Sequence, residues 1–213
     1  MKIFSYIFIA LCISSGILGN PAGTRAEEQE HTAGIFAKIA GSASQVQTLT
    51  CDFIQEKHLS MLNNVLTSKG RFFYKREDKL RWEFNDPIAS GFAVNGEKAI
   101  RWKDDSERTQ TFQVQQVPFI KVFTDQVFSW AKADFKKLEK RYRIQVVGGE
   151  PADLKLFPKS SQEKKYLDHI RIVFALDTSH VQIVEVHEPD GDFTLIRFLK
   201  MTINRSLPDS LFN

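Results

Sequence analysis

Hydrophobic and polar positions divide the chain into three regimes. Residues 3–18 are almost wholly apolar, and the short stretch 27–32 is polar. Ile35, Phe36, Ile39, Ala43 and Val46 then recur at helical spacing, which predicts one amphipathic helix ending before Thr48. From there the period drops to two. Leu49, Cys51 and Phe53, then Phe72 and Tyr74, then Leu80, Trp82 and Phe84 alternate with polar neighbours such as Lys79, Arg81 and Glu83. That is the pattern of antiparallel strands with one wet face.

Turn chemistry divides the rest into further strands. Phe92 and Val94 lead into Asn95-Gly96, and Ile100 and Trp102 lead out, a hairpin signal resting on positive φ at the turn. Asp104-Asp105-Ser106 predicts another reversal. Strands are expected over 109–114, 141–147, 152–157, 167–176, 180–187 and 193–201, separated by Gly148-Gly149, Asp177-Thr178 and residues 189–192. The total is about ten or eleven strands with no βαβ rhythm. One segment departs from the alternation. In 118–131, Phe119, Val122, Phe123, Val127 and Trp130 fall at helical spacing behind Pro118, which suits a first turn. Ile120 and Phe128 lie off that stripe, so this inserted helix has two apolar sides, one for the sheet and one for a ligand. A sheet of this size hides its greasy face by closing on itself, stacking on a second sheet, or wrapping a guest. The pattern leaves all three open, and each aromatic position could equally be plain core.

Composition narrows the compartment more than the fold. Met1-Lys2, the apolar run and Thr24-Arg25-Ala26 ahead of Glu27-Glu28 read as a signal peptide over residues 1–26, cleaved to leave a single domain over 27–213. The run is short for a retained spanning helix. Losing Lys2 and Arg25 takes 29 basic residues to 27 against 26 acidic, a net charge of +1, so the basic footprint of a nucleic-acid binder is absent. Cys51 is the one cysteine left, and its neighbours at period two make it a buried small hydrophobe. Histidines 31, 58, 169, 180 and 187 are scattered without metal-ligand spacing, and no nucleophile elbow, phosphate loop or dinucleotide fingerprint is present. Asp168 and His169 should point to opposite faces of a strand, and His180 and His187 should sit at strand ends near solvent. Asp190-Gly191-Asp192 fits a hairpin turn better than a calcium loop. No catalytic residue, metal or cofactor is expected, and the protein is read as a non-enzyme.

Several of these features occur in a familiar order. Phe53-Ile54-Gln55-Glu56-Lys57 follows the first helix, Gly70 opens a strand, and Lys75-Arg76, Leu80-Arg81-Trp82-Glu83 and Pro87 come next. Asn95-Gly96, Pro118-Phe119, the run from Leu154 to Lys159, Asp190-Gly191 and the run from Asn204 to Phe212 complete the series. Over roughly residues 33 to 212 the chain resembles the LolA-type outer-membrane lipoprotein carriers. The resemblance implies a mainly β (α+β) fold: an unclosed antiparallel β-barrel with an N-terminal helix and an inserted lid helix over an apolar cavity. It implies a periplasmic, monomeric carrier that binds the acyl chains of lipoproteins and moves them from the inner to the outer membrane. The implied partners are acylated lipoproteins, an inner-membrane ABC-type exporter that supplies the energy, and an outer-membrane acceptor. A lipid or glycolipid shuttle of a dedicated pathway and a lipid-sensing regulatory protein are the alternatives.

The resemblance also assigns residues. Arg76, six before Trp82, is implied to point inward and hydrogen-bond the lid. Even parity through 76, 78, 80, 82 and 84 agrees if that strand is regular. Phe72, Tyr74, Leu80, Trp82 and Phe84 are the expected cavity wall, and Phe119, Val122, Phe123, Val127 and Trp130 the expected lid. Two departures are visible. Glu77 stands where the family usually has proline, and the region after Leu207-Pro208 is shorter than usual.

Overall fold

The computed structural model describes residues 21–62, 64–76, 78–103 and 109–213; within these, nothing is described of the side chains of residues 21–26, 28, 118, 119, 122 and 123. The reversal expected at 104–106 and the whole apolar run 3–18 therefore lie outside the described residues. Helix α1 (Pro21–Ser44) leads into six strands, β1 (Thr48–His58), β2 (Leu66–Lys75), β3 (Lys79–Asp86), β4 (Ser90–Asn95), β5 (Lys98–Lys103) and β6 (Gln110–Gln113). Helices α2 (Pro118–Ala131) and α3 (Phe135–Arg141) follow. The chain ends in β7 (Tyr142–Gly149), β8 (Ala152–Pro158), β9 (His169–Phe174), β10 (Val181–His187), β11 (Phe193–Ile203) and a short 3-10 turn at Asp209–Phe212.

Among the described residues, eleven strands form one antiparallel sheet in the order β6-β5-β4-β3-β2-β1-β11-β10-β9-β8-β7. The sheet is two meanders joined where β1 pairs with β11, Phe53 opposite Phe198. β6 and β7 are its two ends and do not pair with each other, so the barrel is unclosed. The segment linking them, which contains α2 and α3, is the one connection that passes from edge to edge. The fold is thus the mainly β, open half-barrel that the sequence led us to expect.

Period-two alternation decides which face is concave. Phe53, Phe72, Tyr74, Leu80 and Trp82 point inward from the first meander, and Leu154, Leu156, Ile170, Ile172 and Val184 from the second. The outward positions carry ion pairs instead, as in Arg71 and Arg81 on Glu83, and Arg171 on Asp153 and Glu185. Gly70 shows how tight the inner packing is. A Cβ there would collide with the Glu83 carbonyl and come within 2.6 Å of the Phe53 ring.

Local departures have local causes. α1 begins at Pro21 and runs through the stretch 27–32, because residues with no apolar stripe still extend a helix whose packed end lies further on. α3 was not expected from the pattern. It is seven residues long with Phe135 and Leu138 as its apolar positions, too short to show a period, and Asp134 caps it by accepting from the Lys137 amide at 3.0 Å. At the expected Asn95-Gly96 hairpin the paired residues are Asn95 and Lys98, so the turn is centred on Gly96-Glu97, with Gly96 in the left-handed region at φ 63°. Gly148 and Gly149 belong to β7, and the chain reverses at Glu150-Pro151 instead.

Candidate functional site

A cavity of about 540 Å³ lies between the concave face, the C-terminal end of α1 and the inner side of α2. This falls within the range of roughly 300–1,000 Å³ that ordinary ligand sites occupy. Ala43 on α1 and Val46 just after it close it from one side, and Gln126, Val127, Trp130 and Ala131 from α2. Phe72, Tyr74 and Trp82 form the wall of the first meander, and Ile170, Val184, Ile196 and Phe198 that of the second. The surface offered to a guest is therefore almost entirely carbon, with rings at one side and branched aliphatics at the other.

The expected wall residues divide. Phe72, Tyr74 and Trp82 border the cavity, whereas Leu80 is wholly buried beside it and Phe84 packs edge-on against Phe53, 5.3 Å between centroids. Of the expected lid residues, Val127 and Trp130 border the cavity. The side chains of Phe119, Val122 and Phe123 lie outside the described residues. The second-meander wall was missed, although the alternation of Ile170, Ile172 and Phe174 and of Val184 and Val186 already marked one face of β9 and β10.

Arg76 differs from the expectation in two respects. It does not share a strand with Leu80 and Trp82: β2 ends at Lys75, β3 starts at Lys79, and Arg76 stands in the turn between them. The parity argument therefore does not reach it. Its Nη2 donates to the Ala43 carbonyl at 3.0 Å and its amide to the Gln47 carbonyl at 2.8 Å, so it engages α1 and the link after it rather than α2. The physical reason is that the last carbonyls of a helix lack intrahelical partners and favour a cation. Two further attachments hold this end of α1. Ser42 Oγ lies 2.9 Å from Thr178 Oγ1, and Asn204 receives the Gln47 amide at 2.7 Å while donating to the Gln45 carbonyl at 2.9 Å.

α2 is held differently. Among the described residues, its side-chain hydrogen bond to the sheet is that of the Tyr142 hydroxyl to Gln126 Oε1, at 3.1 Å. Burial raises the Tyr142 phenol above its ordinary range, so it remains a proton donor. His180 borders the cavity, contrary to the expectation of a solvent position, with its Nδ1 2.8 Å from Ser179 Oγ. Burial pulls its pKa down from the ordinary 6.5, against a smaller upward pull from Asp177. Cys51 is buried, and burial pushes its thiol up to about 12, with Asp52 adding to the rise.

On the convex face, Asp168 and His169 do make a pair, contrary to expectation. Asp168 precedes β9 and its carboxylate reaches His169 Nδ1 at 2.7 Å. Among the described residues no group of three or more His, Cys, Asp or Glu could hold a metal ion, and no helix is long and apolar enough to cross a membrane.

An open half-barrel roofed by two helices, with a carbon-lined hollow between, defines the class of half-barrel containers. A family model described as outer membrane lipoprotein carrier protein LolA matches residues 44–213, and the chain belongs to that family of carrier proteins. No curated protein matches the sequence. Among solved structures, a DUF1329 family protein from Desulfovibrio piger is 12% identical with a TM-score of 0.51, over 85% of this chain and 96% of that one. An uncharacterized conserved protein from Thermus thermophilus is 9% identical with a TM-score of 0.52, over 85% and 91%. A LolA superfamily protein from Nitrosomonas europaea is 10% identical with a TM-score of 0.43, over 85% and 96%. At these identities the likeness concerns the fold.

Proposed function

We propose that this protein is a periplasmic carrier that shelters the acyl chains of lipoproteins in the cavity and moves them from the inner to the outer membrane. The observation that carries the reading is the 540 Å³ carbon-lined hollow under α1 and α2, in a chain of the LolA family. Transfer of a hydrocarbon chain from water contributes about 0.8 kcal/mol per CH₂, so full burial of a few chains together would hold cargo almost irreversibly. Closure of the roof onto the sheet competes with the guest and offsets part of that gain. The chain has no nucleotide-binding motif, so loading draws on an external source such as an ATP-driven inner-membrane exporter, and delivery on a tighter-binding outer-membrane acceptor. Cleavage after Ala26 would place the carrier in the periplasm, and Phe72, Tyr74, Trp82, Val127 and Trp130 would contact the chains.

Two measurements test this. Native mass spectrometry of protein purified from its source, followed by organic extraction, is expected to find an acylated polypeptide bound. Radiolabelled lipoprotein on the carrier is then expected to pass to acceptor membranes. Recovery of free lipid with no polypeptide would replace the reading with a dedicated lipid shuttle, and recovery of neither would remove it.

A further inference from the structure

The cavity wall is apolar, but its roof is not uniformly so. α2 covers several polar side-chain groups, and two of them are satisfied within the helix. Thr124 Oγ1 donates to the Ile120 carbonyl at 2.8 Å and Ser129 Oγ to the Asp125 carbonyl at 2.7 Å. Two donors are different. Gln126 Nε2 and Trp130 Nε1 are fully covered and have no acceptor among the described residues, and both residues border the cavity. They stand four apart, one turn of helix, and so lie one above the other on the same face of α2. The Tyr142 hydroxyl bonded to Gln126 Oε1 orients that amide with its NH₂ left over. A buried donor without an acceptor is costly, by more than an ordinary hydrogen bond contributes, so two in a row on the roof require a reason.

The surroundings limit what could answer them. Both donors are neutral. Among the described residues, the guanidinium bordering the cavity, on Arg141, has its Nε on Glu163 at 2.7 Å, and burial disfavours the charged form of His180. A phosphate or carboxylate would thus enter with no free cation among the described residues beside these two groups, whereas a neutral carbonyl oxygen matches them.

Resting on the carrier reading above, we propose that the guest is an ester- or amide-linked acyl chain whose linkage carbonyl enters the cavity and accepts from Trp130 Nε1 and Gln126 Nε2. A guest that lifts α2 uncovers the two donors and supplies their acceptor, while its hydrocarbon lies along Phe72, Trp82 and the aliphatic wall. The linkage then sits at a fixed depth, and plain hydrocarbon is discriminated against.

The test compares 1,2-dioleoylglycerol with its di-ether analogue, which has the same chains and no carbonyls, as competitors of a fluorescent acyl probe on the purified protein. The ester is expected to displace the probe about tenfold better than the ether. In Trp130→Phe, which keeps a ring and removes the N–H, and in a Gln126→Leu/Tyr142→Phe double variant, that ratio is expected to fall towards one. Equal displacement by ester and ether in the wild type overturns the inference and leaves the carrier reading in place. Displacement by neither overturns the carrier reading itself. A wild-type ratio that persists in both variants assigns the carbonyl to other residues and overturns the roles of Gln126 and Trp130. The wild-type comparison stands whether or not a variant folds.

Discussion

Arg76 is a clasp on α1. A charged donor on the Ala43 carbonyl contributes about 1.5–3 kcal/mol, and Arg76 Nε beside it is buried without a partner of its own. Since Ala43 and Val46 close the cavity from that side, Arg76→Leu should weaken the closed arrangement and favour retention of cargo. Transfer to acceptor membranes is expected to slow by about tenfold in the labelled-lipoprotein assay. Gly70 makes a purely structural contribution. An added methyl group has no space between the Glu83 carbonyl and the Phe53 ring, so Gly70→Ala should cost about 1–3 kcal/mol in denaturant unfolding. His180 sets an acid limit. Its folded pKa is below the ordinary 6.5, so below that pH the unfolded chain binds the proton more readily than the folded one. Its contribution to stability is complete above 6.5 and declines as pH falls through the window below it. Melting temperatures of wild type and His180→Gln, followed from pH 7.5 to 5, should show a smaller acid decline in the variant.

At the level of elements, the roof has a fixed half and a free half. α1 is tied at its C-terminal end by Arg76, Thr178 and Asn204, while α2 meets the sheet mainly through carbon and the Tyr142 hydroxyl. Amide exchange is therefore expected to be faster across Pro118–Ala131 than across the last two turns of α1, and to slow in α2 when an acyl ligand is bound. Mass-spectrometric exchange with and without ligand measures this, and equal protection of the two helices would contradict it. The bounds of α2 were readable because Pro118 and an apolar period agree over four turns. The partner of Arg76 was not, because Arg76 stands in the turn before β3 rather than on that strand, and its acceptor is a main-chain carbonyl 33 residues away. α3, with two apolar positions among lysines, gives no period to read.

For the whole molecule, alternation revealed the strands and their greasy face, but not their spatial order. Nothing in the local pattern states that β1 lies beside β11, or that the two edge strands β6 and β7 are joined through residues 114–141, which carry the helices. The cavity wall followed the same division. Its first-meander aromatics stood out as bulky alternating positions, whereas Ile170, Val184 and Ile196 become wall only once β11 is laid against β1.

That central seam has a practical consequence. Nine residue pairs, from Leu49 with Ile203 to His58 with Phe193, join the amino-terminal and carboxy-terminal meanders in the middle of the sheet, while the covalent link crosses at its rims. Severing the peptide between α2 and α3 would break no strand pairing. Two separately produced polypeptides, divided at Ala133, are accordingly expected to recognise each other and reconstitute the half-barrel on mixing, with the roof now hinged at one edge alone.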